Sequence, residues 1–168
     1  MDKAFVAVLM GSDSDLPVME STLKTLETLG IPYEVKITSA HRTPDNTRVY
    51  VTDADTRGCG VFIAAAGLAA HLAGTVAAHT MKPVIGIPLA AGTLQGVDSL
   101  LSTVQMPPGI PVACVAIGEA GAKNAAFLAA QILALSDDEL AARIKKKRHE
   151  AAEKVLAKNA AFQKPAKA

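Results

Sequence analysis

The sequence predicts a three-layer α/β fold: an open parallel sheet of about five strands, helices on both faces, and an extra C-terminal helix. Two observations carry this. Short unbroken apolar runs, which fit strands buried on both faces, alternate along the chain with segments at helical spacing. Right-handed crossovers then bring every strand-to-helix loop to one edge of the sheet, where ligands bind near a topological switch point. The chain has 168 residues, about one domain, and 50% of them are hydrophobic, ample for a core. Aromatics are 4% and Trp is absent, so that core is aliphatic and rich in small residues.

The first strand is AFVAVLMG (4–11), stopping at Gly11. From Asp15 to Leu29, Val18, Leu23, Leu26 and Leu29 fall near helical spacing, and Gly30 is a suitable C′ stop. YEVKIT (33–38) alternates and is β-branched, a second strand. Thr43-Pro44-Asp45 opens a helix, with Thr43 at the N-cap and Pro44 at N1. GVFIAAA (60–66) is the third strand, followed by a loop and a helix that holds His71 in its first turns. PVIGIP (83–88) is the fourth strand, and DSLLSTV (98–104) a short helix capped by Asp98 or Ser99. PVACVAIG (111–118) is the fifth strand and AGAKNAAFLAAQILAL (120–135) a long small-residue helix. Ser136 or Asp137 caps a last helix to about Ala157, placing one domain over 1–158 and a flexible tail over 159–168.

Four loops on the ligand edge can carry chemistry. In GSDSD (11–15), Ser hydroxyls and N–H groups at a helix start form a small anion site, and Asp15 can accept from sugar hydroxyls; the plainer role of these residues is capping. The stretch is neither GxGxxG nor GxxxxGK[ST], which weakens dinucleotide and NTP readings. In SAHRTPD (39–45), His41 and Arg42 stand side by side although each disfavours the charged form of the other. An anionic ligand explains the pairing: Arg42 offers a donor fork for phosphate, and an imidazole suits proton transfer near neutrality. In AAAGLAAHLAG (64–74), Gly67 allows close backbone approach and His71 is either a ligand-facing or a packed histidine. The long stretch 86–111, with Gly92, Gly96, Pro107, Pro108 and Gly109, reads as a shaped wall.

Other classes lose support. Net charge is +1, so no global field points to nucleic acid or membrane. The basic run RIKKKRH (143–149) fits a solvated helix face, because Leu140, Ile144, Ala151 and Val155 share the opposite side. A nucleic-acid stripe would come with a basic domain and interleaved aromatics, and both are missing. No apolar run reaches the roughly 18 residues of a membrane span. Cys59 and Cys114 have neither metal-ligand nor redox spacing. With no secretory leader at its start, the chain is expected to keep them as reduced thiols in the cytoplasm. His79 and His149 read as structural or solvated.

Taken together and in order, MGSDSD, SAHRTP, AAHLAG and GVDSLLSTVQMPPGIPV resemble the PurE family of purine biosynthesis over nearly the whole chain. SAHRTP, AAHL and the DSLLS-VQMP stretch are similar to its class I branch, the N5-carboxyaminoimidazole ribonucleotide mutases. The resemblance implies a flavodoxin-like sheet and transfer of a carboxylate from N5 of the aminoimidazole ribonucleotide to C4, through CO2, with no metal, biotin or ATP. It implies that His41 shuttles the proton, that Arg42 and Ser12 hold the ribose phosphate, and that Asp15 contacts the ribose. Ser39, Ala66, Gly67, His71 and Leu72 match further substrate contacts, the last four in the loop that walls the CO2 pocket. It also implies a homo-octamer with sites near subunit boundaries.

Three departures sit in that loop: Ala65 and Leu68 stand where the family has Gly, and Ala73 where it has Pro. If position 68 needs a positive φ, Leu is costly there; a slightly rebuilt loop with a bulkier wall is the alternative. The competing functions are a direct aminoimidazole ribonucleotide carboxylase of class II, which typically has Lys where this chain has Arg42, and a non-catalytic nucleotide-binding module.

Overall fold

The computed structural model describes residues 4–163. The unbroken apolar runs form the inner strands: β1 (Phe5–Met10), β3 (Cys59–Gly67) and β4 (Val84–Leu89) are buried almost throughout. β2 (Tyr33–Ile37) and β5 (Ala113–Cys114) are the edges, and Val35 and Ile37 of β2 are partly exposed. All strands run parallel in the order β2-β1-β3-β4-β5, the flavodoxin-like arrangement. The chain leaves β1 to one side for β2 and returns to its other side for β3. The crevice over the carboxyl ends of β1 and β3 is therefore the switch point.

Period-2 alternation divides the core into two. Val6, Val8, Met10, Val61 and Ile63 point toward α1 (Leu16–Leu29), α5 (Glu119–Leu133) and α6 (Asp138–Phe162). Ala7, Leu9, Phe62 and Ala64 point toward α2 (Pro44–Thr56) and α3 (Leu72–Ala77). α4 (Val97–Val104) packs beside β4 and β5. The buried face of α5 is almost all alanine (Ala122, Ala125, Ala126, Ala129 and Ala130), which lets its backbone lie close to the sheet.

The closest approach is at Gly121. A Cβ there would sit 1.6 Å from the Ala116 carbonyl oxygen, a backbone atom that cannot step aside. Gly121→Ala must displace the loop into α5, so it should cost about 3 kcal/mol, the upper end of ordinary overpacking, and lower Tm by about 6–12 °C. A thermal melt checks this, and an unchanged Tm would mean the loop yields freely.

Several boundaries differ from the sequence reading, each for a visible reason. β5 is two residues, not eight. The Val115 N–H still reaches the Gly86 carbonyl (3.0 Å), but the next ladder bond needs an N–H from residue 88, which is Pro88. Asp98 and Ser99 do not cap α4. Gly96 occupies the N-cap with φ 88, Ser99 Oγ donates to the Leu89 carbonyl (2.8 Å), and Asp98 Oδ1 is buried with no hydrogen-bond partner among the described residues. Asp137 does cap α6, accepting from the Leu140 N–H. That helix continues through Phe162, so residues 159–162 are helical where a tail was expected; 164–168 lie outside the described residues. Leu140 and Ile144 are buried as expected, but Ala151 and Val155 are exposed. α6 has 25 residues against 15 in α5 and outruns its partner.

Candidate functional site

A cavity of about 420 Å³ opens at the switch point. Its lining brings together Ser12, Asp15, Ser39, His41, Arg42, Ala66, Gly67, His71 and Leu72, the residues the family resemblance marks as catalytic or substrate-binding. Gly11, Ser14, Ala40, Leu68, Ala69 and Ala91 complete it. The volume suits one small molecule of mononucleotide size.

The loop after β1 makes the first wall. Ser12 caps the 3-10 turn Asp13–Asp15: its Oγ accepts from the Ser14 N–H (3.3 Å), and Asp15 Oδ2 accepts from the Ser12 N–H (3.0 Å). The Ser14 hydroxyl donates to Ser12 Oγ (2.9 Å). Capping and cavity lining are thus one arrangement, because the cap holds both hydroxyls at the rim.

Burial pushes the Asp15 carboxyl above its ordinary value; hydrogen bonds from the Ser12 and Gly11 backbone oppose this, and the charge of Asp13 adds to it. A carboxyl raised on folding contributes stability that is fully present below its unfolded pKa and lost as pH rises through the folded one. At neutral pH ionised Asp15 therefore weakens the fold. Asp15→Asn should melt no lower than wild type at pH 7, with the margin shrinking toward pH 3.8, the ordinary carboxyl value. Melts across pH check this, and a margin that widens in acid would contradict it.

The loop after β2 makes the second wall, on a turn pinned by hydroxyls. Ser39 Oγ accepts from the Arg42 N–H (3.1 Å) and the His41 N–H (3.4 Å), while Thr43 Oγ1 accepts from the Ser39 N–H (2.9 Å). Thr43 stands at the N-cap of α2 with Pro44 behind it, yet its hydroxyl serves this turn and does not cap the helix. Beneath it, Thr38 and Thr47 share a buried hydroxyl contact of 2.7 Å. Arg42 Nη2 donates to the Gly11 carbonyl (3.3 Å), which sets the guanidinium beside Ser12 and Ser14. No carboxylate pairs with Arg42 among the described residues, so its charge is available to an anion.

His71 is the N-cap residue of α3, not a residue of its first turn. From there its Nδ1 lies 2.8 Å from His41 Nε2, with the rings nearly perpendicular at 78°. One nitrogen of this contact carries the hydrogen and the other accepts it, so His41 has a built-in partner for a proton.

The loop after β3 makes the third, apolar wall. Gly67 is pressed against the loop after β4: a Cβ on it would lie 2.9 Å from the Ala91 Cβ. The Ala70 N–H donates to Ser102 Oγ (3.0 Å), tying this loop to α4. Leu68 has φ 56, so the position does require the left-handed region, and Leu occupies it.

The sequence matches the AIR carboxylase family over residues 5–154. The chain belongs to that family. It is similar to the N5-carboxyaminoimidazole ribonucleotide mutase of Pyrococcus abyssi, 54% identical over 145 residues that cover 86% of this chain and 82% of the relative. It is 50% identical to the enzyme of that name from Escherichia coli over 153 residues, 91% and 90% of the two chains. The crystal structure of Treponema denticola PurE superposes with a TM-score of 0.88 at 31% identity, covering 96% of this chain and 99% of that one.

In this AIR carboxylase family member, the stretch 86–111 that reads as a wall reaches the cavity through Ala91, a residue not singled out within it, and not through Gly92, Gly96, Pro107, Pro108 or Gly109. His79 lies outside the cavity, and His149 faces Glu153 on α6 (3.6 Å). Cys59 and Cys114 are free thiols. Burial pushes Cys59 up to about 11 and also raises Cys114, so neither is a ready nucleophile. Among the described residues no group of His, Cys, Asp and Glu is arranged to hold a metal, and no helix is long and apolar enough to cross a membrane.

Proposed function

We propose that this chain is a mutase of purine biosynthesis, converting N5-carboxyaminoimidazole ribonucleotide to its C4-carboxylated isomer. One observation carries the reading: His41, already hydrogen-bonded to His71, stands between an anion-binding rim and an apolar wall. The rim of Arg42, Ser12 and Ser14 fits a ribose phosphate, and Asp15 fits the ribose hydroxyls. This puts the imidazole of the substrate near His41 and its carboxylate toward Ala66, Gly67 and Leu72. Naming among relatives at 50–54% identity supports the same reaction.

The chemistry then needs one proton carrier. As the N5–carboxylate bond breaks, CO2 departs, the electron pair stays on N5, and His41 delivers a proton there. C4 next attacks the retained CO2, the C–C bond forms, and the C4 proton passes to neutral His41, which is restored. There is no net oxidation and no group left over. Ser39 orients His41 through the backbone turn, and His71 fixes the ring through its Nδ1.

The working form we propose is a cytoplasmic homo-octamer with sites near subunit boundaries. Exposed apolar side chains on α4 and α6 support association, among them Leu101, Val104, Val155, Leu156 and Phe162.

The test is one preparation given two substrates in parallel. Fast conversion of N5-carboxyaminoimidazole ribonucleotide without added bicarbonate is expected. Conversion only of aminoimidazole ribonucleotide with high bicarbonate would overturn the mutase in favour of a direct carboxylase. Activity on neither would leave a binding module.

A further inference from the structure

We propose that Leu68 is a specificity-determining residue that closes the apolar wall and keeps the released CO2 from exchanging with solvent. This rests on the mutase reading above. Nothing local favours leucine here. At φ 56 its Cβ crowds the backbone, where Gly or Asn would be at ease, and 54% of its surface is exposed to water. A side chain kept against both preferences points to a role outside the loop itself.

The structure shows what the side chain does. Leu68 lines the cavity and reaches across its rim to the loop after β4. Its Cδ2 lies only 2.7 Å from where a Cβ on Gly92 would sit, so Gly92 is the socket for its tip. Ala91, beside that socket, presses on Gly67. Both loops are anchored, one by the Ala70 N–H to Ser102 Oγ (3.0 Å), the other by Ser99 Oγ to the Leu89 carbonyl (2.8 Å). Leu68 therefore bridges two fixed loops. The wall it completes, with Ala66, Gly67, Leu72 and Ala91, offers no side-chain polar atom to hold water or attack CO2. An uncharged intermediate that must wait for C4 needs such a wall. With Leu68 cut back, a gap opens between the loops.

The experiment uses the full chain with Leu68→Ala, Leu68→Asn and Leu68→Met. Each is given unlabelled N5-carboxyaminoimidazole ribonucleotide in buffer with 13C-bicarbonate equilibrated to CO2, and product is weighed by mass spectrometry, corrected for enzyme-free breakdown. Wild type and Leu68→Met should return mostly unlabelled product. Leu68→Ala and Leu68→Asn should raise the labelled fraction severalfold and release more aminoimidazole ribonucleotide. Asn tolerates this backbone, so the test stands if Ala fails to fold. A purely structural role would lower Tm in these variants and leave the isotope ratio alone. An unchanged ratio beside a converting wild type would overturn the proposal. A wild type that converts nothing would overturn the mutase reading itself, and the wild-type lane separates the two failures.

Discussion

Replacing His41 with Asn should lower turnover of N5-carboxyaminoimidazole ribonucleotide by about 10³-fold, within the range typical of a lost general acid–base group. Substrate affinity should change far less. Asn is shorter, its amide matching the ring's Nδ1 and not the Nε2 that lies 2.8 Å from His71 Nδ1, so it gives up that contact and cannot carry a proton from N5 to C4. The phosphate rim, built on Ser12, Ser14 and Arg42, is untouched. Single-turnover kinetics give the chemical step and calorimetry the affinity. Full activity in His41→Asn would remove the residue from the proton path. Retained turnover with lost affinity would make it a binding residue. His71→Ala is the informative companion: it leaves the proton carrier but removes the Nδ1 that meets His41 Nε2, so its loss should be smaller than that of His41→Asn.

The site was legible where its signal lies in a short stretch at the end of a strand. The loops after β1, β2 and β3 each carry such a stretch, and the parallel order of the apolar runs says these loops converge. The 2.8 Å contact of His41 and His71 was not legible. It joins residues 30 apart, and it exists because β3 lies across β1 from β2. Ala91 is a partial case: the stretch 86–111 reads as a wall, but which of its residues reaches the cavity is set by β4 ending beside β3. Leu68 shows a different limit: its sequence context could pose the question of a positive φ but not decide it, since the backbone there is set by two loops packing on each other. The shortened β5 was readable in principle, because Pro88 cannot donate to a ladder on either side. The far half of α6 was not, because its apolar stripe continues past the point where α5 ends to receive it.

Arg42→Gln should raise KM by about 30- to 100-fold and leave kcat nearly unchanged, as expected for loss of roughly 2–3 kcal/mol in one charge-assisted contact made equally in ground and transition states. Among the described residues the guanidinium has no carboxylate partner, and it rests against the Gly11 carbonyl (3.3 Å), so its removal breaks no ion pair there and opens no core. Stability should therefore stay close to wild type. This pattern is the mirror image of His41→Asn, although the residues are adjacent on one turn held by Ser39. A cycle identifies the group that Arg42 holds. Wild type should bind aminoimidazole ribonucleotide far more tightly than the corresponding nucleoside, and Arg42→Gln should lose most of that preference while its nucleoside affinity stays the same. If the variant weakens nucleotide and nucleoside alike, Arg42 shapes the turn and does not read the phosphate. The charge pairing that made SAHRTP conspicuous would then need another explanation, with His41 still free to move its proton.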